Sequence, residues 1–152
     1  MIRFLKRLLG FSVASREPEG ALSAHVADSE SLARFLFSDK LFARTAGRVK
    51  WRAFDPPENL ELSVFRIDGM TVEGVWRLGR EQAGAVRNES PRARADIEAT
   101  EVRARKLDVA AAPKDDLRHA NIVGWPSEKE SIRLIAMELA SSAKLQLPGA
   151  QP

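Results

Sequence analysis

His119 is the residue in this chain best suited to proton chemistry. It stands in the run Arg118-His119-Ala120-Asn121-Ile122-Val123-Gly124-Trp125-Pro126. An imidazole can serve as acid or base near neutral pH. Asp116, with Asp115 beside it, could orient that ring, and Asn121 falls on the same strand face as His119. Those three, His119, Asn121 and Asp116, are the catalytic candidates. Arg118, Arg66 and Arg52 are candidates for holding an anion, because a guanidinium pairs bidentately with phosphate or carboxylate. The chemistry would be acid–base work on a nucleotide or other phosphate-containing substrate. The plainer reading gives His119 and Asn121 to backbone groups at a strand end and Trp125 to the core. An open pocket holding His119, Asn121 and an arginine favours the enzyme, whereas a buried His119 bonded to backbone opposes it.

Several classes of chemistry lack their residues. There is no cysteine, which removes disulfides, cysteine nucleophiles and thiolate metal sites together. The two histidines, His25 and His119, are far apart and show no His-x-x-x-His spacing, so no metal site is expected. No Gly-x-Gly-x-x-Gly and no Gly-Lys-Ser/Thr follows a strand, so no cofactor is expected. A Ser-His-Asp triad stays open, but without a Gly-x-Ser-x-Gly elbow.

The charge is unevenly placed. The formal net charge is +3, from 24 Lys+Arg and 21 Asp+Glu. Residues 1–16 hold Arg3, Lys6, Arg7 and Arg16 and no acid, so that tail carries +4 and the rest 3 − 4 = −1. Basicity therefore belongs to the tail and does not mark a nucleic-acid face on the body. Residues 1–14 read as a short basic amphipathic helix, with Phe4 and Leu8 on the apolar side and Arg3, Lys6 and Arg7 on the polar side. It reads as a contact element for a partner protein or, through residues 1–13, for an anionic membrane surface, against the plainer readings of a helix packed on its own domain or another subunit, or a frayed tail. Lys6 and Arg7 interrupt the apolar run, which is unlike a signal peptide, and no stretch approaches the roughly 20 apolar residues of a membrane span.

The elements that must position His119 follow from pattern and punctuation. Leu32, Phe35 and Leu36 at helical spacing predict a helix over 28–43, stopped by Gly47. Alternation predicts strands at 48–54 and 60–67, joined as a hairpin around the Asp55–Asn59 turn, with Trp51 or Phe54 pairing Phe65. Lys50, Arg52 and Arg66 on that hairpin suggest a third, weaker function, nucleic-acid binding. Thr71 caps a helix over 71–82, and Ala, Glu and Arg favour another over 93–106. Short strands are expected at 107–112 and 118–124. Ser127 and Glu130 have the spacing of a capping box, which starts a helix over 127–145.

The strings FSDKLF, GRVKWRAFDPP, LSVFRIDG, VWRLG, RARADI, LDV and above all RHANIVGWPSEK, in this order, resemble a family of small uncharacterised bacterial proteins. The resemblance covers roughly residues 31–147. It implies one compact domain of bacterial origin and carries no activity, cofactor or catalytic residue.

The expected architecture is one α+β domain at 28–147, with a small, mostly antiparallel sheet of about four strands and about four helices. A linker at 15–27 precedes it and a frayed tail at 148–152 follows. The length of 152 residues and 44% hydrophobic composition support a single core. The first functional reading is a cytoplasmic, non-enzymatic binding or adaptor protein, peripheral to the inner membrane if its tail meets lipid. Its contact surfaces would be the N-terminal helix and residues 118–126. The alternative is the small enzyme with His119 as acid and base.

Overall fold

The computed structural model describes residues 22–149. The proposed contact helix at 1–14, with Arg3, Phe4, Lys6, Arg7 and Leu8, lies outside the described residues. The described chain is α+β and mostly antiparallel. Strands β1 (Ser31–Leu36), β4 (Leu62–Arg66), β5 (Ala93–Glu98), β6 (Asp108–Ala111), β7 (His119–Val123) and β8 (Lys144–Gln146) form one sheet, in the order β6-β7-β4-β1-β5-β8. Strands β2 (Phe42–Ala43) and β3 (Arg48–Val49) form a separate ribbon. The α-helices are α1 (Val72–Leu78), α2 (Ala99–Arg103) and α3 (Lys129–Ser142).

The largest departure from the sequence reading is β1. Residues 28–43 are not a helix: they give a central strand, a 3-10 turn at Asp39–Leu41 and one arm of the ribbon. Both faces of β1 are covered. Leu32 and Leu36 enter the main core, and Ala33 and Phe35 enter a second cluster on the opposite face. A strand buried on both faces shows no polar alternation, so its apolar run can equally be read at helical spacing. β5 differs for another reason: its Ala93, Ala95 and Ile97 face the main core and alternate with Arg94, Asp96 and Glu98, but Ala, Arg and Glu favour helix by propensity, which the sheet overrides. The expected helix over 93–106 is confined to α2.

The expected hairpin of 48–54 with 60–67 does not form either. Instead β3 pairs with β2, through a turn in which Gly47 adopts φ +68, and residues Trp51–Phe54 coil into a 3-10 turn. β4 pairs with β1 on one side and with β7 on the other. Phe65 accordingly meets Phe35 (ring centroids 5.7 Å apart), while Phe54 is buried in the main core. Helix α3 begins after Glu128 and not at Ser127. Ser131 Oγ donates to Glu128 Oε1 at 2.8 Å in place of the expected capping box. The last two residues of the expected helix over 127–145 belong to β8, which is added to the free edge of β5.

Two layers thus close on the sheet. One face carries the main core, in which Ala136, Leu139 and Ala140 of α3 join Ala93, Ala95 and Ala120 of the sheet, with α3 lying chiefly against the 3-10 turn Trp51–Phe54. The other face is only partly covered, by α1 and the π-turn Gly79–Ala83 that continues it. That cover sits close. A Cβ at Gly79 would fall 2.6 Å from the Phe35 ring and 2.9 Å from Pro91. Gly79→Ala is therefore expected to lower stability by about 1–3 kcal/mol through overpacking, read as a fall in the denaturant midpoint at unchanged m.

Candidate functional site

A pocket of about 270 Å³ opens on the partly covered face. Its floor follows from strand register. Phe65 stands directly across from His119, and Ser63 across from Asn121. Because side chains alternate along a strand, Leu62, Val64, Ala120 and Ile122 go to the main core. Ser63, Phe65, His119 and Asn121 are left on the pocket face. The His119 ring lies beside Phe65, with centroids 5.4 Å apart.

The imidazole is held at both nitrogens. Nδ1 is 3.0 Å from Ala112 O, and Nε2 is 2.8 Å from Ser63 Oγ. A carbonyl oxygen can only accept, so Nδ1 carries the ring proton and the neutral ring's Nε2 accepts from the Ser63 hydroxyl. The loop between β6 and β7 makes this possible by folding back on itself. Ala112 N donates to His119 O, His119 N to Asp116 O, and Arg118 N to Asp116 Oδ1. The group orienting His119 is thus a backbone carbonyl, where the sequence pointed to a carboxylate.

The pocket owes its depth to a parting of strands. β1 and β4 pair only at Leu32↔Arg66 and Ala33↔Phe65, whereas β1 follows β5 for its whole length. Beyond Ala33 the guanidinium of Arg34 occupies the opening. Its Nε donates to Ala53 O at 2.9 Å and its Nη1 to Ser63 O at 3.0 Å. Both acceptors are neutral carbonyls. Among the described residues no carboxylate forms an ion pair with Arg34. Burial, with a smaller contribution from the charge of Arg87, lowers its pKa to about 10, so it remains a cation at neutral pH. Arg87, on the loop after the π-turn, lies over the Phe37 ring at 4.8 Å and borders the same pocket. Asp115 and Asp116 contribute to the lining from the β6–β7 loop.

The predicted site residues are therefore divided. His119 and Asp116 reach the pocket, and Asn121 is their neighbour on the sheet but not part of the lining. Arg118 is used at the strand end, where Nη1 donates to Arg66 O and Asp68 O. Arg66 is 2% exposed and bonded through Nε and Nη2 to the Glu30 carboxylate, so it is a core anchor and no anion clamp. Arg52 lies over Trp51, at 4.8 Å, in a different groove that also carries Asp55, Glu58 and Glu130. The cationic face expected across Lys50, Arg52 and Arg66 does not exist, because Arg66 is buried on a separate strand. Residues 118–126 start on the interior strand β7, expose Gly124 and bury Trp125, which is 7% exposed with Nε1 donating to Ile122 O.

Sequence reasoning missed Ser63, Arg34 and Arg87. For Ser63 a signal existed, since it is a polar residue on the face shared with Phe65 in a strand that is apolar up to Arg66. Nothing local marks the two arginines. Among the described residues there is no group of three or more His, Asp and Glu side chains that could hold a metal ion, and no helix is long and apolar enough to cross a membrane. Comparison with family models, with curated proteins and with solved structures finds no match, which leaves the geometry of this pocket as the ground for a functional reading.

Proposed function

We propose that the pocket binds a small phosphate-bearing molecule and that His119 acts on it as base and acid. One arrangement carries the reading. The imidazole has its proton fixed on Nδ1 by Ala112 O, holds Ser63 Oγ at 2.8 Å through Nε2, and faces a pocket bordered by Arg34. A half-buried guanidinium whose partners are only carbonyls is a cation waiting for a counter-charge. An entering phosphate would gain charge-assisted hydrogen bonds there in a setting of reduced dielectric. Asp115 and Asp116 repel an anion placed against them, which directs it to the Arg34 end. The pocket volume lies near the lower end of the usual range for ligand sites, so the fitting molecule is small.

The adaptor reading stands beside this one: of its two contact elements, residues 1–14 lie outside the described residues, and 118–126 begin on the interior strand β7 and run on through the exposed Gly124.

Titration with inorganic phosphate, followed through the His119 ring resonances, is expected to give a saturable shift. Arg34→Gln should weaken that binding at least about tenfold, equivalent to about 1.4 kcal/mol. Arg87→Gln should weaken it less and in a salt-sensitive way. Because Arg87 is exposed, its variant reports on binding even if Arg34→Gln loosens the parted strands. Absence of a saturable shift, or wild-type affinity in both variants, rejects the reading.

A further inference from the structure

We infer that Ser63 is a nucleophile, and that the bound phosphate ester transfers its phosphoryl group to Ser63 Oγ. This rests on the anion-pocket reading and goes further, because it names the bond that breaks. Three observations meet at one residue. Ser63 Oγ donates its proton toward His119 Nε2 across 2.8 Å. The base is held in the required tautomer by Ala112 O at 3.0 Å from Nδ1. The Arg34 guanidinium is bonded to the carbonyl of Ser63 itself, at 3.0 Å from Nη1. Arg34 and Ser63 line the same pocket, so the anionic group the cation attracts is drawn into the pocket that holds the hydroxyl. A hydroxyl activated by an oriented base, beside a positive charge where negative charge develops, is the arrangement nucleophilic catalysis requires.

The step balances without an oxidant or reductant. Ser63 Oγ attacks phosphorus as its proton passes to His119 Nε2. The Oγ–P bond forms, the bond from phosphorus to the ester oxygen breaks, and the departing alcohol takes the proton from His119. Water then attacks the phosphoserine and gives its proton to Nε2. The P–Oγ bond breaks, phosphate leaves, and Oγ recovers the proton. Arg34, and Arg87 at the rim, balance the charge on the phosphoryl oxygens. The substrate class is a monoester of phosphoric acid with a small alcohol.

Two measurements on the full chain test this. The first uses p-nitrophenyl phosphate with an acid quench and intact-mass analysis. The second uses diisopropyl fluorophosphate, whose adduct on serine does not turn over. Wild type is expected to gain a phosphoryl group from the first and a diisopropylphosphoryl group from the second, both mapped to the peptide holding Ser63. Ser63→Ala should lose both adducts yet still bind inorganic phosphate, since Arg34 and Arg87 remain. His119→Gln should form them at least about a hundredfold more slowly. If phosphate binds and neither reagent modifies Ser63, or if another residue carries the adduct, the nucleophile assignment falls and the anion pocket stands. If phosphate does not bind at all, both fall.

Discussion

Replacing Arg66 by alanine is expected to cost about 2–4 kcal/mol of stability, because it removes the buried half of an ion pair and leaves the part-buried Glu30 carboxylate without its cation. Arg66 is 2% exposed, and its Nε and Nη2 each meet a Glu30 carboxylate oxygen at 2.8 Å. Its Nη1 also donates to Ser23 O at 2.7 Å. One side chain on β4 therefore fixes the segment 23–30 that leads into β1, the strand whose parting from β4 makes the pocket. The thermal midpoint should fall by on the order of 10 °C. Arg66→Met gives the internal comparison. It fills the volume but leaves the same carboxylate unpaired, so it should recover little, whereas the double variant Arg66→Met with Glu30→Leu should recover most of the loss. A near-neutral Arg66→Ala would show that Glu30 relaxes into water without cost.

The same pair sets an acid limb in the stability profile. The hydrogen bonds from Arg66 are the largest influence on Glu30 and hold its pKa below the usual carboxylate value, against an opposing effect of burial. A depressed folded-state pKa contributes stability that is present above the unfolded value and lost as pH falls through the folded one. Denaturant midpoints should therefore drop as pH is lowered below about 4.5, and this slope should flatten in Glu30→Gln. Asp96 acts in the opposite sense. Burial raises its pKa despite the neighbouring Arg94, so its ionisation opposes folding as pH rises through the folded value. A Glu30→Gln profile as steep as wild type would assign the acid limb to other carboxylates.

Local signals in the sequence found the elements bounded by clear punctuation. Asp68-Gly69 and Thr71 bracket the start of α1, Gly124 and Pro126 separate β7 from α3, and Pro113 closes β6. They did not find β5, whose alternation gave way to the helical propensity of Ala, Arg and Glu, nor β1, whose two-sided burial removes the alternation that identifies a strand. That one ambiguity hid the site. Arg34 read as a helical residue could not be placed beside His119. Ser63 and His119 are 56 positions apart, and only the antiparallel register of β4 and β7 brings them together. The histidine itself was legible because its side chain is rare here and chemically distinctive. Its partners were not, since serine and arginine are common surface residues and only the sheet order gives these three their place.

Replacing His119 by glycine is expected to lower turnover of a phosphate monoester by about 10²- to 10⁴-fold. The loss of a general base is the cause, so binding of inorganic phosphate should survive. Added imidazole should restore part of the rate, because the vacated space keeps every feature that positioned the ring. Phe65 remains as a flat neighbour, Ala112 O still accepts from one nitrogen, and Ser63 Oγ still donates to the other. A ring that only bridges two strands predicts a different outcome. Losing it would lower stability, by the two hydrogen bonds and by about 0.5–1 kcal/mol for glycine in a strand, and imidazole would rescue neither fold nor rate. His119→Ala separates the two costs, since it removes the base and keeps a Cβ. Equal rates in His119→Ala and wild type would leave Ser63 without an activating partner and end the case for catalysis in this pocket. A rate that falls in both variants and returns with imidazole in proportion to its concentration would assign the proton transfer to this position on β7.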